Sequence, residues 1–208
     1  MSRDHILHRV RTALGRSAGQ AVADAPPARI RVPQVEMDAR VASMLARVEA
    51  LAGEALETSN PSAFVAAAIA GKTAVASNAP YLAERGITNL PGVRSGIIDR
   101  DQLREACASA DVGITSADYA LADTGTLVML ASPHEARLIS LLPPAHIAVV
   151  PRDRILTGLD ELFSILPNPA AQTSSMVLIT GPSRTADIEQ ILVRGVHGPG
   201  HITVVISS

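Results

Sequence analysis

Short apolar runs recur along this chain, and within each run the apolar residues are continuous: Thr73–Ala76, Gly96–Ile98, Val112–Thr115, Leu127–Leu130, His146–Val150, Met176–Thr180 and Ile202–Ile206. A strand with one wet face alternates apolar and polar side chains, so a continuous run marks a strand covered on both faces. Between the runs lie stretches of helical periodicity at Ala79–Arg85, Asp101–Ala110, Leu156–Ile165 and from Thr185 onward. This alternation predicts an α/β fold of three αβα layers around a mostly parallel sheet. Such sheets bind their ligands outside the carboxyl ends of the strands, where the strand order switches.

Upstream of these runs the pattern is helical. Ile6, Leu7, Val10 and Leu14 recur at helical spacing and Gly15 stops the run, which predicts an N-terminal helix over residues 1–15. Its apolar stripe needs a docking surface on the domain, a second copy or a partner. Residues 16–36 are rich in Ala and Pro and read as a linker. From 37 to 208 the chain reads as one α/β domain. Its first helix is expected to run from Met37 to about Thr58 and to break at Asn60-Pro61, with Ser62 capping a short Ala-rich helix through Ile69.

Composition narrows the function. Aromatic residues are 2% of the chain, too few to build stacking platforms for single-stranded nucleic acid. With 18 basic and 20 acidic residues there is no bulk cation to attract a nucleic-acid backbone, so no nucleic-acid partner is expected. Every basic residue except Lys72 is an arginine, which suits forked recognition of carboxylate or phosphate. Cys107 is the only cysteine, so the chain by itself holds neither an internal disulfide nor a cysteine-ligated cluster. The start, MSRDHILHRV, lacks a secretory apolar core, and no apolar run has the length of a membrane span. The expectation is a cytoplasmic protein.

Two motifs carry candidate chemistry. In MVLITGPSRTADIEQ, a strand enters Gly181-Pro182 and then an expected helix from Thr185. Ser183, Arg184, Thr185 and the free N–H groups of a helix start would converge on a small carboxylate or a single phosphate. The same composition equally makes a plain helix cap. In GITSADYALADTGTLVML, Ala117–Ala122 reads as two helical turns. The turn Asp123-Thr124-Gly125-Thr126 offers an anion nest with Asp118 and Asp123 beside it, or a polar turn closed on itself.

Other features are weaker. Gly71-Lys72-Thr73 precedes a strand and lacks the first glycine of a phosphate-binding loop. His197 and His201 are separated by Gly-Pro-Gly, which precludes a regular metal-binding helix, so no metal site is expected. Arg137 is free to pair with a ligand or with Glu135. Cys107 reads as core.

GITSADYALADTGTLVML, RLISLLPPAHIAVV and TGPSRTADIEQILVRGVHGP, in that order, resemble the LutC/YkgG family of LUD-domain proteins. The resemblance covers residues 70–206, and the N-terminal ILHRVRTAL also fits it. It implies a fold similar to the NagB/RpiA/CoA-transferase-like domains. It further implies a part in bacterial oxidation of L-lactate to pyruvate with two partner proteins that carry the iron–sulfur clusters, this chain holding no cofactor itself. One departure is Asp123, where many relatives have Glu.

Together these readings place Asp118, Asp123, Thr124, Gly125 and Thr126 on one side of a ligand site. Ser183, Arg184 and Thr185 form the other side, with Asp187 or His197 accepting a hydroxyl proton. Two other classes stay open: a stand-alone enzyme on a phosphosugar or acyl-CoA, and a non-catalytic assembly or regulatory module.

Overall fold

The computed structural model describes residues 2–17, 19–20, 30–186 and 192–208. Helix α1 (Arg3–Ala13) is followed by α2 (Met37–Ala50), β1 (Glu54–Thr58), α3 (Pro61–Ala68), β2 (Ala74–Ala76), α4 (Pro80–Glu84), β3 (Val93–Arg94) and α5 (Arg100–Ser109). Then come β4 (Val112–Ser116), β5 (Tyr119–Leu121), β6 (Thr126–Leu130), α6 (Arg137–Leu141), β7 (Ala145–Pro151), β8 (Ile155–Leu156) and α7 (Leu159–Ile165). The remaining elements are β9 (Met176–Thr180), β10 (Arg184–Ala186), β11 (Leu192–Arg194) and β12 (His201–Ser207).

The main sheet has six strands in the order β1-β12-β7-β4-β2-β3, and every pairing in it is parallel. Its central strands are buried on both faces, as continuous apolar runs require. Alternate residues of β7 serve opposite cores. Ile147 and Val149 pack with Val65 of α3 and Leu82 of α4, while Ala148 and Val150 pack with Val41, Met44 and Val48 of α2. Farther along the α2 side, α5 and α6 cover β2 through Val75, Cys107 and Ile139. Gly113 of β4 admits α6 at close range, since a Cβ there would stand 1.9 Å from the Ile139 carbonyl oxygen.

A second sheet, in the order β8-β5-β6-β9, lies beside α2 in the same core. Leu127–Leu130 and Met176–Thr180 are therefore strands as expected, but they pair antiparallel with each other and lie outside the main sheet. Burial on both faces accounts for this: Leu127 and Met129 face the α2 core, while Val128 packs with Leu162 and Leu166 around α7.

Several local expectations are corrected. The first domain helix stops at Ala50, where Ala52 takes a left-handed φ of 62°, and Glu54–Thr58 becomes a strand. Good helix formers yield there to parallel pairing with β12. Asn60, not Ser62, caps α3, its side-chain oxygen accepting from the Ala63 N–H at 3.1 Å. The strand expected at Gly96–Ile98 is at Val93–Arg94, the segment that pairs with β2, and Ile98 is 93% exposed. Tyr119–Leu121 is a strand rather than part of a helix. Ile155–Leu156 forms β8, so the helix expected from Leu156 begins at Leu159. Helix α1 forms but buries none of its residues. Among the described residues no helix is long and apolar enough to cross a membrane.

Candidate functional site

From β2 the chain runs outward to β3 on one side, and its next sheet strand, β4, pairs with β2 on the other. The order therefore switches between β2 and β4, and a cavity of about 360 Å³ opens beyond their carboxyl ends. It draws on the segment after β2 (Ala79, Pro80), the end of β4 (Ser116, Ala117, Asp118) and Pro151 at the end of β7. The loop after β6 closes another wall with Ser132, His134 and Glu135.

Glu135 is the chemical centre of this cavity. Its Oε2 accepts from the Ser77 hydroxyl at 2.7 Å and the Ser116 N–H at 3.3 Å. Its Oε1 is buried without a partner. Burial pushes the Glu135 carboxyl up to about 8, against the pull of the Ser77 and Ser116 donors. The nearby Asp118 charge pushes in the same direction as burial. Near neutral pH the neutral acid is thus the favoured form, and a neutral carboxyl is a hydrogen-bond donor.

The surrounding groups are held in place. Asp118 Oδ2 accepts from the Leu130 N–H at 2.7 Å, tying the β4–β5 junction to the end of β6. Burial raises the Asp118 pKa, while the Leu130 N–H and the Arg154 charge oppose the rise. Arg154 lies over the Tyr119 ring at 5.5 Å and also lines the cavity. Tyr81 of α4 lines this cavity and a neighbouring one with Arg85 and Arg152, and its hydroxyl is a second buried polar atom without a partner among the described residues.

The Asp123–Thr126 turn and GPSRT lie elsewhere, and the strands that lead to them meet in space. Thr126 and Thr180 face each other across β6 and β9, their hydroxyls 2.8 Å apart. The chain of hydroxyls continues from Thr126 to Thr124 at 2.8 Å and from Thr124 to Asp123 at 3.1 Å. Within the turn, the Gly125 N–H bonds Leu121 O at 3.0 Å and the Asp123 N–H bonds Thr157 O at 3.1 Å. Both threonine hydroxyls, Asp123 Oδ1 and the N–H groups of Asp123 and Gly125 are thus bonded within the protein. Gly125, at φ 68°, presses on α2, where an added Cβ would be 2.9 Å from Arg47 Cβ and 3.0 Å from Val48 N.

At GPSRT the expected helix start is corrected. Arg184–Ala186 is a strand paired antiparallel with Leu192–Arg194, so no helix N-terminus gathers N–H groups at Thr185. The preceding residues are pinned to a later loop instead: the Ser183 N–H bonds Pro199 O at 2.9 Å, and Ser183 O accepts from the Gly195 N–H at 3.1 Å. Arg184 donates to the Leu51 carbonyl at the end of α2. His197 is exposed in the loop before β12. Asp187 lies outside the described residues.

Asp118 and Asp123 are not brought together. Asp123 lines a second cavity, of about 420 Å³, with Arg40, Ser43, Thr157 and Gly158, while Asp118 lines the cavity of Glu135. Among the described residues Arg137 pairs with neither Glu135 nor another carboxylate; its guanidinium donates to the Ser175 hydroxyl at 3.3 Å. Glu135, Ser77 and Tyr81 were absent from the sequence-derived site. The available signal was the pair Ser77-Asn78 directly after an apolar run, where a parallel sheet places its ligands.

Comparison with known proteins agrees with this architecture. The LUD domain family matches residues 34–207. Lactate utilization protein C of Halalkalibacterium halodurans is 42% identical over 103 residues, which are 48% of this chain and 45% of that one. Lactate utilization protein C 1 of Bacillus mycoides is 34% identical over 146 residues, 65% of this chain and 62% of that one. In its first matches the chain spans about half the length of the curated relatives. A solved structure of a DUF162 family protein from Deinococcus radiodurans superimposes with a TM-score of 0.65. It covers 84% of this chain and all of that one at 17% identity, a likeness of fold. With a match over most of its length and this shared architecture, the chain belongs to the LUD domain family.

Proposed function

We propose that the chain serves lactate utilisation as the cluster-free member of a bacterial system that oxidises L-lactate to pyruvate. Two iron–sulfur partner proteins carry the electrons, and this chain binds a small carboxylate in the Glu135 cavity. The names of the relatives at 34–42% identity support the lactate role. A single, buried cysteine fits a division of labour in which clusters reside on partners.

The observation that carries the ligand reading is Glu135 itself. A carboxyl held by two donors, with its other oxygen unpartnered in the wall of a switch-point cavity, is the arrangement of a binding group. Arg154 supplies the cation for a carboxylate.

The test is complementation. A bacterial host lacking its own lactate utilization protein C should regain growth on L-lactate with this chain and lose that rescue with Glu135→Leu. Affinity purification of the tagged chain should recover two iron–sulfur proteins. Absence of rescue by the wild-type chain, expressed and folded, sinks the lactate reading.

A further inference from the structure

The wall of the switch-point cavity is richer in acid than in base. Three carboxyl groups line it, from Glu84 of α4, Asp118 at the β4–β5 junction and Glu135 of the loop after β6, against one guanidinium, that of Arg154. The other titratable groups around it are Tyr81 and His134. Burial raises the Asp118 pKa, and the Leu130 N–H and the Arg154 charge oppose that rise, so Arg154 is already engaged with a carboxylate of the wall. With all three carboxyls ionised, negative charge would exceed positive, and like charges at short range disfavour a further anion.

Of the three, Glu135 is the carboxyl whose charge is least supported. Glu84 is exposed, so water and salt screen it. Asp118 has both a backbone donor and a nearby cation. Glu135 is buried and, among the described residues, makes no ion pair; two neutral donors, Ser77 and Ser116, bond one of its oxygens and the other has no partner. Ionising a buried carboxyl without a cation is costly, and an anion in the same cavity adds to that cost. The coupling is reciprocal: a bound anion holds the proton on Glu135, and the proton on Glu135 admits the anion.

We infer that this cavity takes its ligand as a carboxylate together with one proton, carried on Glu135, and gives up the anion when Glu135 ionises. This rests on the small-carboxylate reading above and adds the charge state in which that site is loaded. It requires no bond between Glu135 and the ligand, because the coupling acts through charge across the cavity.

Calorimetric titration of the full chain with pyruvate and with L-lactate, both fully ionised from pH 7 to 9, tests this. With the Glu135 pKa pushed up to about 8 by burial, the dissociation constant should rise about tenfold across that range. At pH 8, titrations in two buffers of different ionisation enthalpy should show uptake of about half a proton per ligand bound. Glu135→Gln cannot ionise, so its profile should be level, its proton uptake zero, and its binding at pH 9 tighter than that of the wild type. Asp118→Asn keeps an acceptor for the Leu130 N–H but removes a charge that adds to burial in raising the Glu135 pKa, so the loss of affinity should begin at lower pH. Circular dichroism at each pH establishes that each protein is folded. A wild-type affinity that stays level to pH 9, or a fall that persists in Glu135→Gln, overturns the inference and leaves the carboxylate site standing. If Glu135→Gln does not fold, the wild-type buffer comparison decides alone, and zero uptake at pH 8 overturns the inference. No binding of either acid at pH 7 overturns the underlying reading together with the inference.

Discussion

Ser77 and Glu135 are 58 positions apart in the chain, yet the serine hydroxyl donates to the glutamate at 2.7 Å across the mouth of the parallel sheet. The bond fixes the carboxyl at the boundary between β2 and the loop after β6, where burial keeps it protonated.

The contribution of Glu135 to stability should therefore fall as pH rises above the ordinary glutamate range. Between 4.5 and about 8 the unfolded chain releases this proton while the folded chain keeps it. Each pH unit in that window costs about 1.4 kcal/mol. Glu135→Gln removes the slope, so the variant should gain on the wild type as pH approaches 8. Urea unfolding from pH 5 to 8.5 reads this directly, and parallel curves for the two proteins would refute it.

His146 acts in the opposite direction. It is fully buried, with Nε2 2.7 Å from the Thr115 hydroxyl, and burial lowers its pKa from 6.5 to about 4. The imidazole contributes stability above 6.5, and this is lost as pH falls towards 4. Between 4.5 and 6.5 the His146 and Glu135 slopes offset one another. In His146→Gln the offset between pH 6.5 and 4.5 should disappear, so that stability rises as pH falls across that range with Glu135 alone setting the slope; urea unfolding across it checks this, and a flat profile in the variant would contradict it.

Gly125→Ala should be much more costly than Gly71→Ala. Both glycines have left-handed φ, 68° and 74°, but an added methyl at Gly71 meets nothing within 4 Å. Backbone strain alone costs about 1–2 kcal/mol. At Gly125 the methyl also strikes the backbone of α2, raising the cost to about 3–4 kcal/mol. Differential scanning calorimetry should show the Gly125 variant melting roughly 4–10 °C below the Gly71 variant.

Arg40→Ala should loosen the junction between α2 and α7. The guanidinium bonds Val35 O at 2.8 Å, Ile155 O at 3.2 Å and the Glu161 carboxylate at 3.0 and 3.2 Å. Burial disfavours ionised Glu161, but donors from Thr157 and Arg40 outweigh it and lower its pKa. Loss of the arginine should cost about 2–3 kcal/mol and raise the Glu161 pKa. Denaturant unfolding and carboxyl-resolved NMR titration check the two effects, and an unmoved Glu161 would contradict the assignment.

Much of the fold was legible in the sequence because continuous apolar runs are a direct record of burial on two faces. That record does not say what covers each face. β4 and β7 lie between helical layers and β6 lies between α2 and α7, yet all three read alike. Glu54–Thr58 was illegible for a different reason: its helix-forming residues become a strand only because β12 is alongside. The candidate site was less visible still. Ser77, Tyr81 and Glu135 carry no shared motif, and only the meeting of β2, α4 and the loop after β6 makes them neighbours. The conspicuous threonine turn instead uses its hydroxyls on itself and on Thr180.

The sheet order also governs how the chain can be made. Among the described residues β1 pairs with β12 alone, and the bond from Thr203 to Glu54 spans 149 positions. At roughly 5–20 residues per second on a ribosome, β1 waits on the order of ten to thirty seconds for its neighbour. Throughout that interval its pairing edge is open to any other extended segment. A nascent chain stalled before β12 should accordingly be a better client for chaperones than the finished protein.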